Sequence, residues 1–236
     1  MEAIILAGGF GTRLKDVVKD VPKPMADVGG KPFLRHIFEW LLKSGVSRVI
    51  LSVGYRSEVI VNYFGASFCG VEIAYSSEDE PLGTGGAVRR ALALAKSGDV
   101  LVLNGDSFFD VDPKKLFAFH LEKKSMMTMA LKPMLDFERY GSVEVEGGMI
   151  VGFREKALVK SGLINAGVYV VRKKLAELLE EYKTPFSLEA DFLQKKCLEL
   201  KVAAYVGNGY FIDIGVPEDY KRARAEFEKC FQGGVK

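Results

Sequence analysis

The chain has 236 residues, a formal net charge of +2 and 48% hydrophobic residues. That is enough for one α/β domain with a core of normal size, and the balanced, interspersed charge excludes a surface built to coat nucleic acid. The three cysteines, Cys69, Cys197 and Cys230, form no CxxC, so neither a zinc site nor a disulfide framework is expected, and they read as thiols of a reducing compartment.

Ala3–Ala7 is a continuous apolar run, as in a strand buried on both faces of a parallel sheet. It leads into Gly8, Gly9 and Gly11. Leu34, Ile37, Phe38, Leu41 and Leu42 recur at helical spacing, and Gly45 follows as a C-terminal cap. Arg48–Val53 reads as a second buried strand, Ser57 as the cap of a helix toward Phe64, and Val71–Tyr75 as a third strand. Gly83–Gly86 opens a helix through Ala95, and Val100–Leu103 is a fourth strand that ends in Asn104-Gly105-Asp106. This alternation predicts a parallel sheet with helices on both faces. Further on, Met126–Leu131, Ser142–Val145, Met149–Phe153 and Val168–Val171 read as strands, with a turn at Gly147-Gly148. Helices are expected near Lys173–Tyr182 and Ser187–Leu200, then a strand near Tyr210–Ile214 and a helix from Pro217. The expected fold is α/β, a Rossmann-like, mixed but mainly parallel sheet flanked by helices. With no repeat or linker, residues 1–236 read as a single domain.

The first apolar run lacks a basic flank and is too short for a signal peptide. No run approaches the ~20 apolar residues of a membrane helix. A soluble, cytoplasmic protein with no membrane partner is expected, and its oligomeric state is left open.

A glycine loop between strand and helix can surround an anion with backbone N–H groups. A Walker A loop needs Lys after its last glycine, but Thr12 and Arg13 follow Gly11. The dinucleotide fingerprint fits Gly9 and Gly11, but Leu14 replaces its third glycine and no acid ends the second strand. A dinucleotide-binding oxidoreductase is therefore disfavoured, and a plain turn that needs φ > 0 remains the alternative. Ten residues after Arg13, Lys23 stands between Pro22 and Pro24. Each proline fixes its own φ and restricts its predecessor, so Lys23 is expected in a braced, extended segment beside the loop.

The run LAGGFGTRL…VPKPM resembles the opening motif of the sugar-1-phosphate nucleotidylyltransferases. The resemblance continues in order along nearly the whole chain: EDEPLGTGGA, NGD with Asp106, RYG at Arg139–Gly141, FREK at Phe153–Lys156, NAG at Asn165–Gly167 and FIDIGVPEDY at Phe211–Tyr220. Within that family, NGDSFFDVD, GLINAGVYVV and YFIDIGVPEDY are most similar to the D-glycero-D-manno-heptose 1-phosphate guanylyltransferases. The resemblance implies the nucleotide-diphospho-sugar transferase fold, with residues 1–110 as a nucleotide-binding half and 111–236 as a sugar-binding half. It implies that GTP and a heptose 1-phosphate react to give GDP-heptose and pyrophosphate. Mannose 1-phosphate as the sugar, or UTP or CTP as the nucleotide, are the nearest alternatives. A silent member that senses nucleotide-sugars is disfavoured, because it need not keep Arg13, Lys23, Asp106 and Asp213 together.

The nucleophile in this chemistry is a phosphate oxygen, mostly dianionic at neutral pH because its second pKa lies near ~6. No general base is required, and His36 and His120, both inside helical patterns, read as structural. The reaction needs charge neutralisation and in-line positioning. By resemblance, Leu6, Ala7, Gly8, Gly9, Gly11 and Thr12 surround the triphosphate, Arg13 and Lys23 act as catalytic cations, and Asp106 and Asp213 hold Mg²⁺. Asp106 ends a parallel strand, where α/β sites gather. Asp213 lies between Ile212 and Ile214, where a carboxylate is costly to bury without a metal or cation. A turn residue and a structural ion pair are their plain alternatives. Gly83 and Thr84 resemble the segment that faces the nucleobase. Glu78 favours guanine, because an ionised carboxylate accepts from both N1–H and the 2-amino group; Asp79 and Glu80 are close competitors. Asn104, Gly141 and Asn165 are assigned to the sugar, Glu155 to a pair of its hydroxyls and Lys156 to its 1-phosphate. Phe109 and Tyr140 read as core.

Overall fold

The computed structural model describes residues 1–9, 18 and 20–232, with 228–232 by backbone alone. β1 (Glu2–Leu6) is followed by a 3₁₀ turn at Lys23–Met25, a hairpin of β2 (Asp27–Val28) and β3 (Lys31–Pro32), α1 (Phe33–Lys43) and β4 (Arg48–Val53). Next come α2 (Ser57–Phe64), β5 (Ser67–Phe68), β6 (Val71–Ser77), α3 (Gly83–Leu94), β7 (Asp99–Asn104), β8 (Ser107–Phe109) and α4 (Pro113–Lys123). β9 (Met127–Phe137), β10 (Ser142–Glu146), β11 (Met149–Arg154), β12 (Val159–Arg172) and α5 (Leu175–Leu179) continue the chain. A π-helical turn at Leu188–Leu193 runs into α6 (Gln194–Leu200), and β13 (Ala203–Val206), β14 (Phe211–Asp213) and α7 (Pro217–Gln232) complete it.

One ten-stranded sheet has the order β10-β11-β13-β9-β12-β7-β1-β4-β6-β5. Its centre, β7-β1-β4-β6, is parallel, and β12 joins β7 antiparallel. The chain steps outward from β1 to β4 and β6, then crosses back to lay β7 on the other side of β1. Leu6 and Asn104 pair at the carboxyl end of this reversal, the crevice in which open α/β sheets bind ligands. Ala3 and Ile5 enter one core with α1, and Ile4 enters the opposite core with α3. Burial on both faces accounts for the unbroken apolar run.

β4 has its expected bounds, and Gly45 follows α1 at φ +80 as a left-handed cap. Ser57 is no cap: it is the first residue of α2, preceded by Arg56 at φ 52 with no side-chain cap bond. Lys23 is not extended. Pro22 is, but Lys23 opens the 3₁₀ turn, which is closed by Met25 N–H to the Pro22 carbonyl (2.7 Å) and Ala26 N–H to the Lys23 carbonyl (3.0 Å). Burial of Pro24 and Met25 pins that turn. β9 and β12 outrun their apolar cores because their outer ends pair with each other, Ser161 opposite Leu135 and Val159 opposite Phe137. The expected helix over Lys173–Tyr182 is only the short α5. The run Asp112-Pro113 starts the unforeseen α4: Asp112 Oδ1 accepts from the N–H groups of Lys114 and Lys115, and Pro113 opens the helix.

Phe186 packs directly over the start of α3 and stacks on Tyr182 at 5.2 Å between centroids. A Cβ on Gly85 would lie 2.1 Å from Cε2 of Phe186. Gly85→Ala is therefore expected to destabilise the fold by about 1–3 kcal/mol through overpacking, seen as a lower midpoint in urea unfolding. An unchanged midpoint would mean that Phe186 has room to withdraw.

Candidate active site

Asp106 lies just beyond β7 in a turn whose Gly105 N–H donates to the Leu6 carbonyl at 2.9 Å. A Cβ on Gly105 would sit 2.7 Å from that oxygen, so the close approach of β1 and the turn requires glycine. β14 pairs antiparallel with β8, Asp213 opposite Ser107, and Ile214 N–H donates to the Asp106 carbonyl at 3.0 Å. The expected strand near Tyr210–Ile214 thus exists, but outside the main sheet. It carries Asp213 to Asp106 at the mouth of the crevice.

Lys23 Nζ lies between the two carboxylates, 2.7 Å from Asp106 Oδ2 and 3.7 Å from Asp213 Oδ1. Asp213 Oδ1 also accepts from Gly215 N–H at 2.7 Å. Burial, and next the charge of Asp106, push the Asp213 carboxyl above its ordinary pKa against the pull of Lys23. Among the described residues, no group of three or more His, Cys, Asp or Glu is placed to hold a metal. Two carboxylates nevertheless fit Mg²⁺, which commonly takes one or two and completes its shell with water and substrate phosphates. The Lys23 ammonium marks the place where a cation is favoured.

A cavity of about 430 Å³ opens from this pair. It is lined by Leu6, Ala7, Gly8 and Gly9, by Glu78, Gly83 and Thr84, and by Lys23, Asn104, Asp106 and Asp213. Asn104 thus groups with this cavity rather than with the second one described below. Gly11, Thr12 and Arg13 lie outside the described residues. Glu78 is held from two sides: Oε1 accepts from Ser52 Oγ and Oε2 from Leu82 N–H, each at 3.0 Å. Each oxygen keeps a lone pair for a further donor. Ser52 is fully buried and was not expected at the site; a lone hydroxyl inside the apolar run RVILSV is its only sequence signal.

A second cavity, about 850 Å³, is lined by Tyr140, Gly141, Glu155, Lys156 and Asn165, with Arg139, Glu189 and Gln194. Asp213 lines both cavities. Arg139 forms an ion pair with Asp219 at the start of α7. Tyr140 was read as core but faces this cavity, and burial followed by the Asp213 charge raises its phenol pKa; Phe109 is core as expected. Both histidines are structural. His36 Nε2 meets the Val28 carbonyl, His120 lies between Thr128 and Asp99, and burial depresses both pKa values.

The raised Asp213 pKa has a consequence for stability. The folded state disfavours the ionised carboxylate, so stability falls as pH rises from the ordinary carboxylate pKa through the raised one. In EDTA, Asp213→Asn is expected to melt higher than the parent protein at neutral pH, with a smaller gain at pH 4. A variant that melts lower at neutral pH would show that the Asp213 charge is fully compensated by Lys23.

Residues 2–229 match the Nucleotidyl transferase family. The D-glycero-alpha-D-manno-heptose 1-phosphate guanylyltransferase of Aneurinibacillus thermoaerophilus is 47% identical over 228 residues, 97% of this chain and 99% of that protein. The enzyme of the same name from Campylobacter jejuni is 50% identical over 223 residues, 93% of this chain and 97% of its own. The crystal structure of HddC from Yersinia pseudotuberculosis superposes with a TM-score of 0.85 at 38% identity, covering 96% of this chain and 99% of that one; its complex with GMP-PN gives 0.83. The fold is that of the nucleotide-diphospho-sugar transferases. Among the described residues, no helix is long and apolar enough to cross a membrane. The match runs from the first strand into the last helix and takes in both cavities, and the chain belongs to the nucleotidyl transferase family.

Proposed function

We propose that the protein transfers GMP from GTP to D-glycero-D-manno-heptose 1-phosphate, giving GDP-heptose and pyrophosphate. The observation that carries this reading is the shared seam: Asp213, with Lys23 and Asp106 beside it, lines both cavities. A nucleoside triphosphate in one cavity and a sugar phosphate in the other would meet there. The choice of GTP and heptose is supported by 47% and 50% identity to heptose 1-phosphate guanylyltransferases over nearly their full length.

The sugar phosphate oxygen attacks the α-phosphorus, and the bond from that phosphorus to the bridging oxygen breaks as pyrophosphate leaves. No proton need be removed from a dianionic phosphate, which agrees with the absence of a histidine among the described residues that line the cavities. Backbone N–H groups of the glycine loop hold the triphosphate, and Arg13 and Lys23 offset the charge that builds on it. Asp106 and Asp213 would hold Mg²⁺, whose chemistry here is neutralisation of phosphate charge. Glu78, aimed by Ser52 and Leu82, accepts from N1–H and the 2-amino group of guanine beside Gly83 and Thr84. Gly141, Glu155 and Asn165 receive the sugar, and Lys156 its phosphate. Residues 1–110 and 111–236 serve as nucleotide and sugar halves of one domain, and the reaction belongs in the cytoplasm, where nucleoside triphosphates are made.

Pyrophosphate release measured across four nucleoside triphosphates and a panel of sugar 1-phosphates tests the whole reading. GTP with the heptose 1-phosphate should give the highest kcat/KM, and EDTA should abolish turnover until Mg²⁺ is restored. Lys23→Ala and Arg13→Ala should each lower kcat by roughly 10²–10³-fold; near-full activity in either removes that cation from the mechanism. Glu78→Gln places an NH₂ group against one of guanine's donors. It should cost GTP more than ITP, which lacks the 2-amino group, and so narrow a GTP/ITP gap worth about 1.5–3 kcal/mol. An unchanged ratio would mean that the 2-amino group is read elsewhere.

A further inference from the structure

Glu189 stands in the π-helical turn at Leu188–Leu193 and joins the two cavities by hydrogen bonds. Tyr169, fully buried on β12, accepts from Asn165 Nδ2 at 2.7 Å and donates to Glu189 Oε1 at 2.9 Å. The other carboxylate oxygen, Oε2, accepts from Thr84 Oγ1 at 2.9 Å and Ser187 Oγ at 3.2 Å. Both ends of this chain are fixed by backbone N–H groups, which only donate. Leu188 N–H gives its hydrogen to Thr84 Oγ1 at 2.8 Å, so the Thr84 hydroxyl proton is turned toward Glu189. Gly167 N–H donates to Asn165 Oδ1 at 2.9 Å, so the Asn165 amide has one orientation, with Nδ2 toward Tyr169. The two donor arms converge on Glu189, and an ionised carboxylate, acceptor only, is the group that can end both. π-Turns of this kind recur at functional sites.

We infer that Glu189 is a positioning residue for the sugar site: through the buried Tyr169 it holds Asn165 with its second Nδ2 hydrogen free for a sugar hydroxyl, and it ties that orientation to Thr84 beside the nucleotide. The inference rests on the proposed reading of Asn165 as a sugar contact. A glutamine at 189 keeps the shape but loses one acceptor. Thr84 and Ser187 both donate to Oε2, whereas Tyr169 alone donates to Oε1, so the amide oxygen stays with the two hydroxyls and the NH₂ faces Tyr169. The buried phenol then faces two donors and its own proton loses its partner: the arm to Asn165 is the one that breaks. Glu189 also lines the sugar cavity, so a direct contact with the sugar must be told apart from positioning. Tyr169 does this, because a fully buried phenol touches no substrate.

Steady-state kinetics on both substrates, calorimetric GTP binding and thermal melts are measured for the parent protein and for Asn165→Ala, Tyr169→Phe, Glu189→Gln and the Tyr169→Phe/Glu189→Gln double variant. Each single change should raise KM for the sugar 1-phosphate about ten-fold while the GTP Kd holds. The double variant should be little worse than the poorer single one, because both break the same chain. A purely structural role would instead lower the melting point and weaken both substrates together. If Glu189→Gln leaves the sugar KM unchanged, or raises it while Tyr169→Phe does not, the positioning role is overturned. If Asn165→Ala has no effect on sugar KM, the reading of Asn165 fails and this inference falls with it.

Discussion

The meeting of Asp106 and Asp213 is the constraint on which the rest of the site depends. Two carboxylates in a partly buried place repel each other and are poorly solvated, so the fold must supply a compensating cation. Lys23 does so from a turn pinned by two buried neighbours, and the remaining excess of negative charge is what makes the place suitable for a divalent ion. The pair exists only because the chain crosses back to set β7 beside β1 and because β14 then folds onto β8. Either arrangement alone would leave one acid without the other.

From this seam the two cavities divide by the kind of surface they present. The first sets the glycine backbone of Gly8, Gly9 and Gly83 beside the side chains of Lys23, Glu78, Asp106 and Asp213. Gly83 needs to be glycine for space as well as conformation: its φ is +70 and a Cβ there would lie 2.3 Å from the Phe186 carbonyl oxygen. The second cavity is lined mainly by side chains, among them Tyr140, Glu155, Lys156 and Asn165; the proposed function places the triphosphate in the first and the sugar in the second.

Polar side chains at the site are aimed by partners behind them. Glu78 is held by a buried serine and a backbone N–H, and Glu189 gathers two hydroxyl arms that reach Thr84 on one side and Asn165 on the other. Groups held in this way need no reordering when a ligand arrives, which is how a shallow crevice gains selectivity. The aromatic packing of Phe186 over Gly85 serves the same end by seating the start of α3, where Gly83 and Thr84 stand.

Much of the fold could be read from local pattern. The double-sided burial of β1 and β4, the amphipathic α1 and the glycine that ends it are encoded within a few residues, because burial repeats with the period of the element. The glycine loop and Asp106 were visible as a strand-loop-helix start and an acid at the end of a strand, whereas the NAG and FREK segments were visible only through their resemblance to the motifs of the nucleotidylyltransferases. Features that depend on distant partners were not visible. The outer halves of β9 and β12 are strands only because they pair with each other, and β14 leaves the main sheet because β8 lies beside it. Lys23 takes a 3₁₀ turn that the flanking prolines did not imply, since burial of Pro24 and Met25 decides it. Ser52 shows only as a lone hydroxyl in an apolar run and Glu189 carries no local signal; their roles come from hydroxyls and carboxylates brought together across the crevice. Sequence periodicity reports which face of an element is buried. Only the crossing of β7 past β1 and the register of β14 on β8 decide which buried and half-buried groups then meet, because those contacts join residues far apart in the chain.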